Sequence, residues 1–420
     1  MRFHTLEEWL RWQERLNPRE IDLGLERVRQ VWQRLSPALG STMVITVAGT
    51  NGKGSTVALL ESILHRAGYR TGSYTSPHLV RYNERIHLQG EPVSDERILA
   101  AFEAIDGARG DLPLTYFEFG TLAALWIMAR EKVDVALLEV GLGGRLDAVN
   151  IVDADLAIIT SIDLDHQSWL GEDRGAIGRE KAGIFRPGRP AVFSAREMPE
   201  SVALAAVGLG TPLYRNGIDF QVKAEAETWN WQGPQRRFDS LPYPGLAGAH
   251  QLDNAAGVLM ALTLLTERLP VSEESLREGL ENAWLPGRVQ RLWREGVEWV
   301  LDVAHNPHAV ESLHEALQER PAGGKTFALL GMLKDKDFPA VIDRLDGQVD
   351  EWHYASLEGE RGLRADALNS HRAGRTHDSV SEAVRHLQER ASPGDRVVVF
   401  GSFHTVGQAL PLVQETARGN

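Results

Sequence analysis

The apolar run 44–47 passes into Ala48-Gly49-Thr50-Asn51-Gly52-Lys53-Gly54-Ser55-Thr56, and Val57, Leu59, Leu60, Ile63 and Leu64 then follow at helical spacing to about Gly68. A buried strand that turns through glycines into a helix constrains the fold more than any other stretch of this chain. Glycines let backbone N–H groups crowd an anion, the helix N-terminus adds partial positive charge, and Lys53 supplies a full one. A hydroxyl at Ser55 or Thr56 could reach a bound cation. The strict pattern G-x-x-x-x-G-K-[ST] is not met, because Val47 takes the first glycine position and Gly54 separates Lys53 from Ser55. A glycine-rich turn that merely starts a helix is the other reading. Strand, glycines, lysine and hydroxyls all agree, and together they favour a phosphate site.

Alternating strand and helix patterns surround this loop. Leu6, Trp9, Leu10 and Leu16, then Leu25, Val28, Trp32 and Leu35, predict two amphipathic helices before it. Strands are predicted at 133–140, 155–162 and 191–194, with helical segments such as 121–130 between them. Residues 219–239, which include Trp229-Asn230-Trp231-Gln232-Gly233-Pro234, predict a β-hairpin or meander. Helices at about 254–269 and 272–283 lead to Leu285-Pro286-Gly287, punctuation rich enough for a domain boundary. A second β/α series follows, with strands at 297–303, 326–330, 351–355 and 396–400. The pattern predicts an α/β protein with a largely parallel sheet covered by helices, then a smaller α/β domain, split as 1–286 and 287–420.

Length agrees, since 420 residues exceed one ordinary core. Cysteine is absent, which excludes a disulfide framework, a thiolate metal site or a thiol nucleophile and suits a reducing cytosol. The net charge of −13 gains nothing from the counterion release that drives nucleic-acid binding, so no nucleic-acid partner is expected. An anionic ligand must then be held locally, by amides, Lys, Arg or metal. Arg2-Phe3-His4-Thr5-Leu6-Glu7-Glu8 offers no uninterrupted apolar region, so no signal peptide is expected. No apolar stretch reaches the ~18 residues of a membrane span. The expectation is a cytoplasmic chain with no membrane partner.

The phosphate loop, with Gly54 after its lysine, resembles the folate branch of the Mur ligase superfamily. So do Thr75-Ser76-Pro77-His78-Leu79 with Asn83-Glu84-Arg85-Ile86, and Glu139-Val140-Gly141-Leu142-Gly143-Gly144-Arg145-Leu146-Asp147-Ala148. The same holds for Asp165-His166 with Leu170-Gly171, Arg179-Glu180-Lys181-Ala182-Gly183-Ile184, Leu285-Pro286-Gly287-Arg288 and Asp302-Val303-Ala304-His305-Asn306-Pro307-His308. These look like the signatures of folylpolyglutamate and dihydrofolate synthases, in family order over roughly residues 21 to 407. The resemblance implies an N-terminal P-loop-type ATPase domain with a mostly parallel sheet and a C-terminal Rossmann-like domain that carries glutamate ligation. It implies an ATP- and Mg2+-dependent ligase, expected as a monomer, whose partners are ATP, L-glutamate, dihydropteroate and reduced folates.

Residues read on their own leave alternatives that the resemblance narrows. Glu139 ends an apolar strand before a glycine-rich turn, where open α/β sheets place ligands; a helix cap or ion pair is the alternative. The resemblance implies Ser76, Glu139 and His166 as magnesium ligands, although a hydrogen-bonding role for His166 stays open. Lys181, placed at a helix start, reads as a surface salt bridge or, by resemblance, as a carbamylated lysine that ligates a second magnesium. Thr50, Asn51, Gly52, Lys53, Gly54, Ser55 and Thr56 are implied to hold ATP together with Asn254, Arg288 and Asp302. The last two lie across the domain boundary from the loop, so that ATP could hold the domains shut. His305 and Ser402 are implied to face glutamate, with helix capping as the alternative. Lys53, Lys181 and His305 are the expected catalytic residues.

The same resemblance implies a pterin site at Asp22, Leu23, Gly24 and Leu25, at Thr115, Tyr116, Phe117 and Glu118 set before a helix, and at Leu146, Asp147 and Ala148. Aromatic core packing is the alternative for the second group. Three rival functions stay open. A folylpolyglutamate synthase without dihydrofolate synthase activity is one, and an ATP-hydrolysing regulatory protein is another. The third, a cell-wall amino-acid ligase, would need a UDP-sugar domain in the 48 residues before Gly49, which are too few.

Overall fold

Continuous apolar runs mark strands buried on both faces, and the larger sheet is built around three of them. Its strands are β1 (Met43–Ala48), β2 (Thr71–Tyr74), β3 (Ile86–Leu88), β4 (Glu91–Pro92), β5 (Val135–Glu139), β6 (Leu156–Ile159), β7 (Ala191–Phe193) and β8 (Leu213–Arg215). Every residue of β1, β5 and β6 is buried. The order is β4-β3-β2-β5-β1-β6-β7-β8, with β3 antiparallel to both β2 and β4 and the other pairs parallel. The chain leaves β1 toward β2 on one side and leaves the adjacent β6 toward β7 on the other. Diverging connections of this kind open a crevice at the strands' carboxyl ends. The computed structural model describes residues 2–19 and 21–414.

Helices Leu6–Gln13 and Glu26–Leu35 fall where the apolar spacing puts them, and the first is fixed by a Thr5/Glu8 capping box. The Trp229–Trp231 region forms the expected meander, β9 (Gln221–Ala224), β10 (Thr228–Gln232) and β11 (Arg237–Pro242). Trp229 and Trp231 alternate with half-buried Thr228 and Asn230 but are themselves fully buried, and Trp231 Nε1 donates to the Ala256 carbonyl at 3.2 Å.

The chain divides into two compact units. The first takes the chain up to Pro77, Asn83–Gly245 and Leu252–Trp284; the second takes His78–Tyr82, Leu246–Gln251 and the chain from Leu285 on. The second unit has its own sheet: β12 (Gln290–Arg294), β13 (Val297–Leu301), β14 (Thr326–Leu330), β15 (Glu351–Ala355), β16 (Arg375–His377) and β17 (Arg396–Phe400). Its order is β12-β13-β17-β14-β15-β16, parallel apart from β12 on β13. Alternate residues feed two cores. Val300, Ala328, Leu330, Tyr354, Val398 and Phe400 pack on one face, and Trp299, Leu301, Phe327, Leu329, Val397 and Val399 on the other.

Three local expectations change. The helix expected over 121–130 runs Tyr116–Glu131, because Thr115 and Glu118 form a capping box that starts it earlier. The helix holding Lys181 runs Arg174–Ala182, capped by Asp173, so Lys181 lies in its last turn rather than at its start. The run 155–162 yields only Leu156–Ile159 as strand, since Thr160 and Ser161 turn out to bond the phosphate loop. Strands β2, β3, β4, β8 and β16 have four residues or fewer and gave no usable pattern, and β12, with five, was also missed.

Candidate active site

Gly52 caps the helix Lys53–Arg66 with φ +87, and a Cβ there would sit 2.7 Å from Asn254 Oδ1. The same crowding holds at Gly49, where a Cβ would fall 1.8 Å from Thr160 Oγ1. Side chains from other elements therefore press directly on the loop backbone, and only glycine fits beneath them. Thr160 Oγ1 donates to the Asn51 carbonyl at 2.6 Å, and Ser161 Oγ accepts from Asn51 N at 3.2 Å. Thr50 Oγ1 is clamped by the Asp163 backbone, donating to its carbonyl at 3.1 Å and accepting its N–H at 3.0 Å. These bonds fix the backbone of the loop.

Lys53 Nζ donates to the Gly49 and Thr50 carbonyls at 3.0 and 3.1 Å, and Lys181 Nζ donates to the same Gly49 carbonyl at 2.9 Å. Two amines thus converge on one neutral oxygen, and among the described residues neither has an ion pair. Lys181 is buried, and burial, followed by the nearby Lys53 charge, lowers its amine to about 7. Its helix is pinned from the loop after β5: Arg145 N donates to the Glu180 carbonyl at 2.9 Å, and the Gly144 backbone lies against Lys181.

Glu139 ends β5 in register with Val47, two residues before the loop, and its Oε2 accepts from Ser76 N at 3.3 Å. Ser76 and Glu139 are thereby brought to one corner beside the phosphate loop. His166 follows in a left-handed turn, φ +52, its backbone N–H held by Asp165 Oδ1 at 2.8 Å. The described residues contain no group of three or more His, Cys, Asp and Glu that could hold a metal alone. A serine, one carboxylate and the nearby Thr56 Oγ1, which is buried without a partner, suit a hard divalent cation that also takes phosphate oxygens and water.

The segments assigned to the pterin are joined by Arg27. Its guanidinium pairs with Asp22 at 2.8 Å and with Glu118 Oε1 at 3.1 Å. Asp22, Leu23, Gly24 and Leu25 form the turn before helix Glu26–Leu35. Glu118 Oε2 also accepts from Thr115 N at 2.7 Å, so this carboxylate closes the capping box as well. Phe117 lies against the loop after β5, where a Cβ on Gly141 would come within 2.5 Å of its ring, and its ring centroid is 5.8 Å from that of Tyr74. The Arg85 guanidinium stands 5.4 Å over the Tyr116 ring. Asp147 is buried, accepts from Leu142 N at 2.8 Å and Val149 N at 3.0 Å, and burial pushes it up to about 7. Leu146 is half-buried and Ala148 buried beside it.

In the second unit Asp302 follows β13 and accepts from Val289 N and Ala304 N, both at 2.7 Å; burial raises its carboxyl above the usual range. Phe403 gathers two of the expected residues, with the Arg288 guanidinium 5.3 Å over its ring and the His305 ring 6.4 Å away. His305 Nδ1 is 2.9 Å from the Val303 carbonyl. Ser402 Oγ accepts from Thr405 N at 3.0 Å and lies 2.8 Å from Thr405 Oγ1, a capping arrangement at helix Phe403–Gln414.

Sequence reasoning passed over Thr160, Ser161 and Asp163, which fix the phosphate loop, and Tyr74, which borders the aromatic segment, and it gave no role to Arg27 or to Arg85, a member of the Asn83–Ile86 motif. The first three sit at the carboxyl end of β6, and that position was the available signal. The others are brought in by packing alone.

Comparison with known proteins agrees with this layout. The family described as Mur ligase, glutamate ligase domain, matches residues 287–403. Dihydrofolate synthase/folylpolyglutamate synthase of Escherichia coli strain K12 is 46% identical over 415 residues, covering 99% of this chain and 97% of that protein. The structure of E. coli FolC in complex with DHPP and ADP aligns with a TM-score of 0.93 at 45% identity, covering 99% of both chains. A bifunctional folylpolyglutamate synthase/dihydrofolate synthase with Mn, AMPPNP and L-glutamate bound gives a TM-score of 0.90 at 46% identity, covering 98% of both chains. Likeness of this extent, over nearly the whole of each chain, is a family relationship: this chain belongs to the dihydrofolate synthase/folylpolyglutamate synthase family of Mur-type ligases.

Proposed function

We propose that the chain joins L-glutamate to 7,8-dihydropteroate, giving dihydrofolate, and to the γ-carboxylate of folyl glutamates, at the expense of ATP. The observation that carries this reading is the pair of amines, Lys53 and Lys181, on the Gly49 carbonyl at the start of the phosphate loop. Two amines at a helix N-terminus, with Asp147 and Asp165 near enough to act on their charge but not bonded to them, suit a polyphosphate. Thr50, Asn51, Gly52, Lys53, Gly54, Ser55 and Thr56 hold the phosphates, and Asn254, Arg288 and Asp302 supply the further nucleotide contacts.

A carboxylate does not acylate an amine in neutral water, so a leaving group must be made. The substrate carboxylate oxygen attacks the γ-phosphorus and ADP leaves. The glutamate amine then attacks the acyl phosphate carbon, and collapse of the tetrahedral adduct expels phosphate. Lys53 stabilises charge that develops on the transferred phosphoryl group. Ser76, Glu139 and His166 would hold magnesium, which would supply further charge neutralisation for phosphoryl transfer. Lys181 is suited to carbamylation, because only a neutral amine adds carbon dioxide, losing one proton and becoming an anionic oxygen ligand. Its buried, depressed amine supports that role.

Asp22–Leu25, Thr115–Glu118 and Leu146–Ala148 form the dihydropteroate site, while His305 and Ser402 serve glutamate. Residues 1–286 thus act on ATP and the pterin, and 287–420 on glutamate. The enzyme works as a cytoplasmic monomer; no helix among the described residues is long and apolar enough to cross a membrane. Purified protein given ATP, magnesium, glutamate and either dihydropteroate or tetrahydrofolate should form amide product with both. Product from the folate alone would reduce the reading to a folylpolyglutamate synthase. ATP hydrolysis without product from either would leave only a regulatory ATPase.

A further inference from the structure

His250 opens the helix His250–Leu264 and belongs to the segment that packs with the second unit. Its Nε2 lies 3.0 Å from Gln251 Nε2. An amide nitrogen donates, so as the side chains are assigned the imidazole accepts at Nε2 and carries its proton on Nδ1. Nδ1 is buried and has no hydrogen-bond partner. A buried donor without an acceptor is costly, and such groups persist where a ligand completes them. Gly248, at φ +110, approaches the same edge of the ring: a Cβ there would lie 2.8 Å from Cε1 and 3.0 Å from Nδ1. Glycine therefore keeps that edge clear of side chain.

The surroundings define the chemistry of the missing acceptor. Burial, with His308 and Arg288 as charged neighbours, lowers the imidazole to about 4, so it stays neutral at physiological pH. A neutral N–H donor beside a guanidinium and a second imidazole fits an oxyanion better than a cation or an apolar group. Asn254, one of the nucleotide residues proposed above, lies one turn further along the same helix. We infer that His250 donates its Nδ1–H to a substrate oxyanion, together with Arg288, as a further binding residue of the ligase. Two sources share this chemistry, a nucleotide phosphate and a carboxylate of the incoming glutamate. The inference rests on the ligase reading of the preceding section.

Three substitutions separate binding from structure. Asn places a side-chain N–H near the position of Nδ1, Gln places it near that of Nε2, and Ala removes both. Wild-type protein is first assayed for amide product, and failure at that step counts against the ligase reading rather than against His250. With product established, KM for ATP and KM for glutamate are measured separately, alongside kcat and the melting temperature. His250→Gln and His250→Ala should raise one of the two KM values about tenfold or more, with kcat within about threefold, and His250→Asn should restore it. A rise in KM for ATP identifies the phosphate, and a rise in KM for glutamate identifies the carboxylate. If His250→Ala fails to fold, the Asn and Gln variants alone decide the matter. Equal behaviour of those two, or unchanged KM values throughout, would overturn the inference.

Discussion

In the first unit, two amines meet one carbonyl oxygen at the carboxyl end of β1, while in the second unit Asp302 and Ser402 find complementary partners within their own loops. The units share an α/β plan, so the difference lies in what the strand ends are asked to do. Asp302 takes two backbone N–H groups, and Ser402 takes the Thr405 N–H. These bonds build the loops and hold the nearby rings of His305 and Phe403 in place. In the first unit Lys53 and Lys181 are bonded only to backbone carbonyls, with Asp147 and Asp165 further off, and burial holds Lys181 at about 7. Amines that bond a neutral oxygen rather than a carboxylate remain available to an anionic ligand. The first unit therefore carries electrostatics suited to a phosphate, and the second offers a preformed frame.

That contrast can be broken most directly at Lys53. Lys53→Ala should cost on the order of 10²–10³ in ligation rate, the usual loss of one electrostatic stabiliser, with little change in melting temperature. Activity within about threefold of wild type in a folded variant would remove the nucleotide assignment, since the buried Lys181 amine, lowered to about 7, does not replace the full charge of Lys53. Phe117→Ala should lower kcat/KM for dihydrofolate formation by roughly ten- to a hundredfold, and polyglutamate extension by less, because dihydropteroate has no glutamate tail to add binding. Parallel steady-state assays decide this. Equal losses would make Phe117 a support for the Gly141 loop or part of one pocket shared by both substrates.

Smaller effects sharpen the comparison. Glu139→Gln keeps the side-chain shape and drops the charge, so a magnesium titration of activity should shift by at least the roughly tenfold that even outer ligand-orienting groups command. An unmoved titration curve would take Glu139 out of direct metal contact. In the second unit the expected signature is double. Ser402→Ala removes a helix cap, worth about 1 kcal/mol, read as a lower denaturation midpoint with an unchanged slope, and should also raise KM for glutamate. A lower midpoint with KM for glutamate unchanged would leave Ser402 to the helix alone.

Much of this molecule is written locally. The phosphate loop needs a buried strand, glycines, a lysine and a helix start within a dozen residues, and all of these are visible in the sequence around Gly49 and Lys53. Largely apolar runs of strand length placed β1, β5, β6, β13, β14, β15 and β17, because strands buried on both faces read as near-continuous apolar stretches even where a Glu298 or His353 interrupts them. The short edge strands β4, β8 and β16 escaped, since two or three residues carry no periodicity.

The sequence by itself thus determined the fold class, the order of its elements and the chemistry available at each loop. Only the tertiary structure decided how that chemistry is combined. The convergence of Lys53 and Lys181 on Gly49 depends on the last turn of a helix more than a hundred residues away being clamped by Gly144 and Arg145. Arg27 joins Asp22 to Glu118 across 91 positions of chain, and residues 78–82 and 246–251 pack with the second unit although they lie within the first unit's span. Local propensity sets backbone conformation over a few residues. Which distant side chains then share one carbonyl oxygen or one guanidinium is fixed by packing, because burial leaves each polar group only the partners that the folded chain delivers to it.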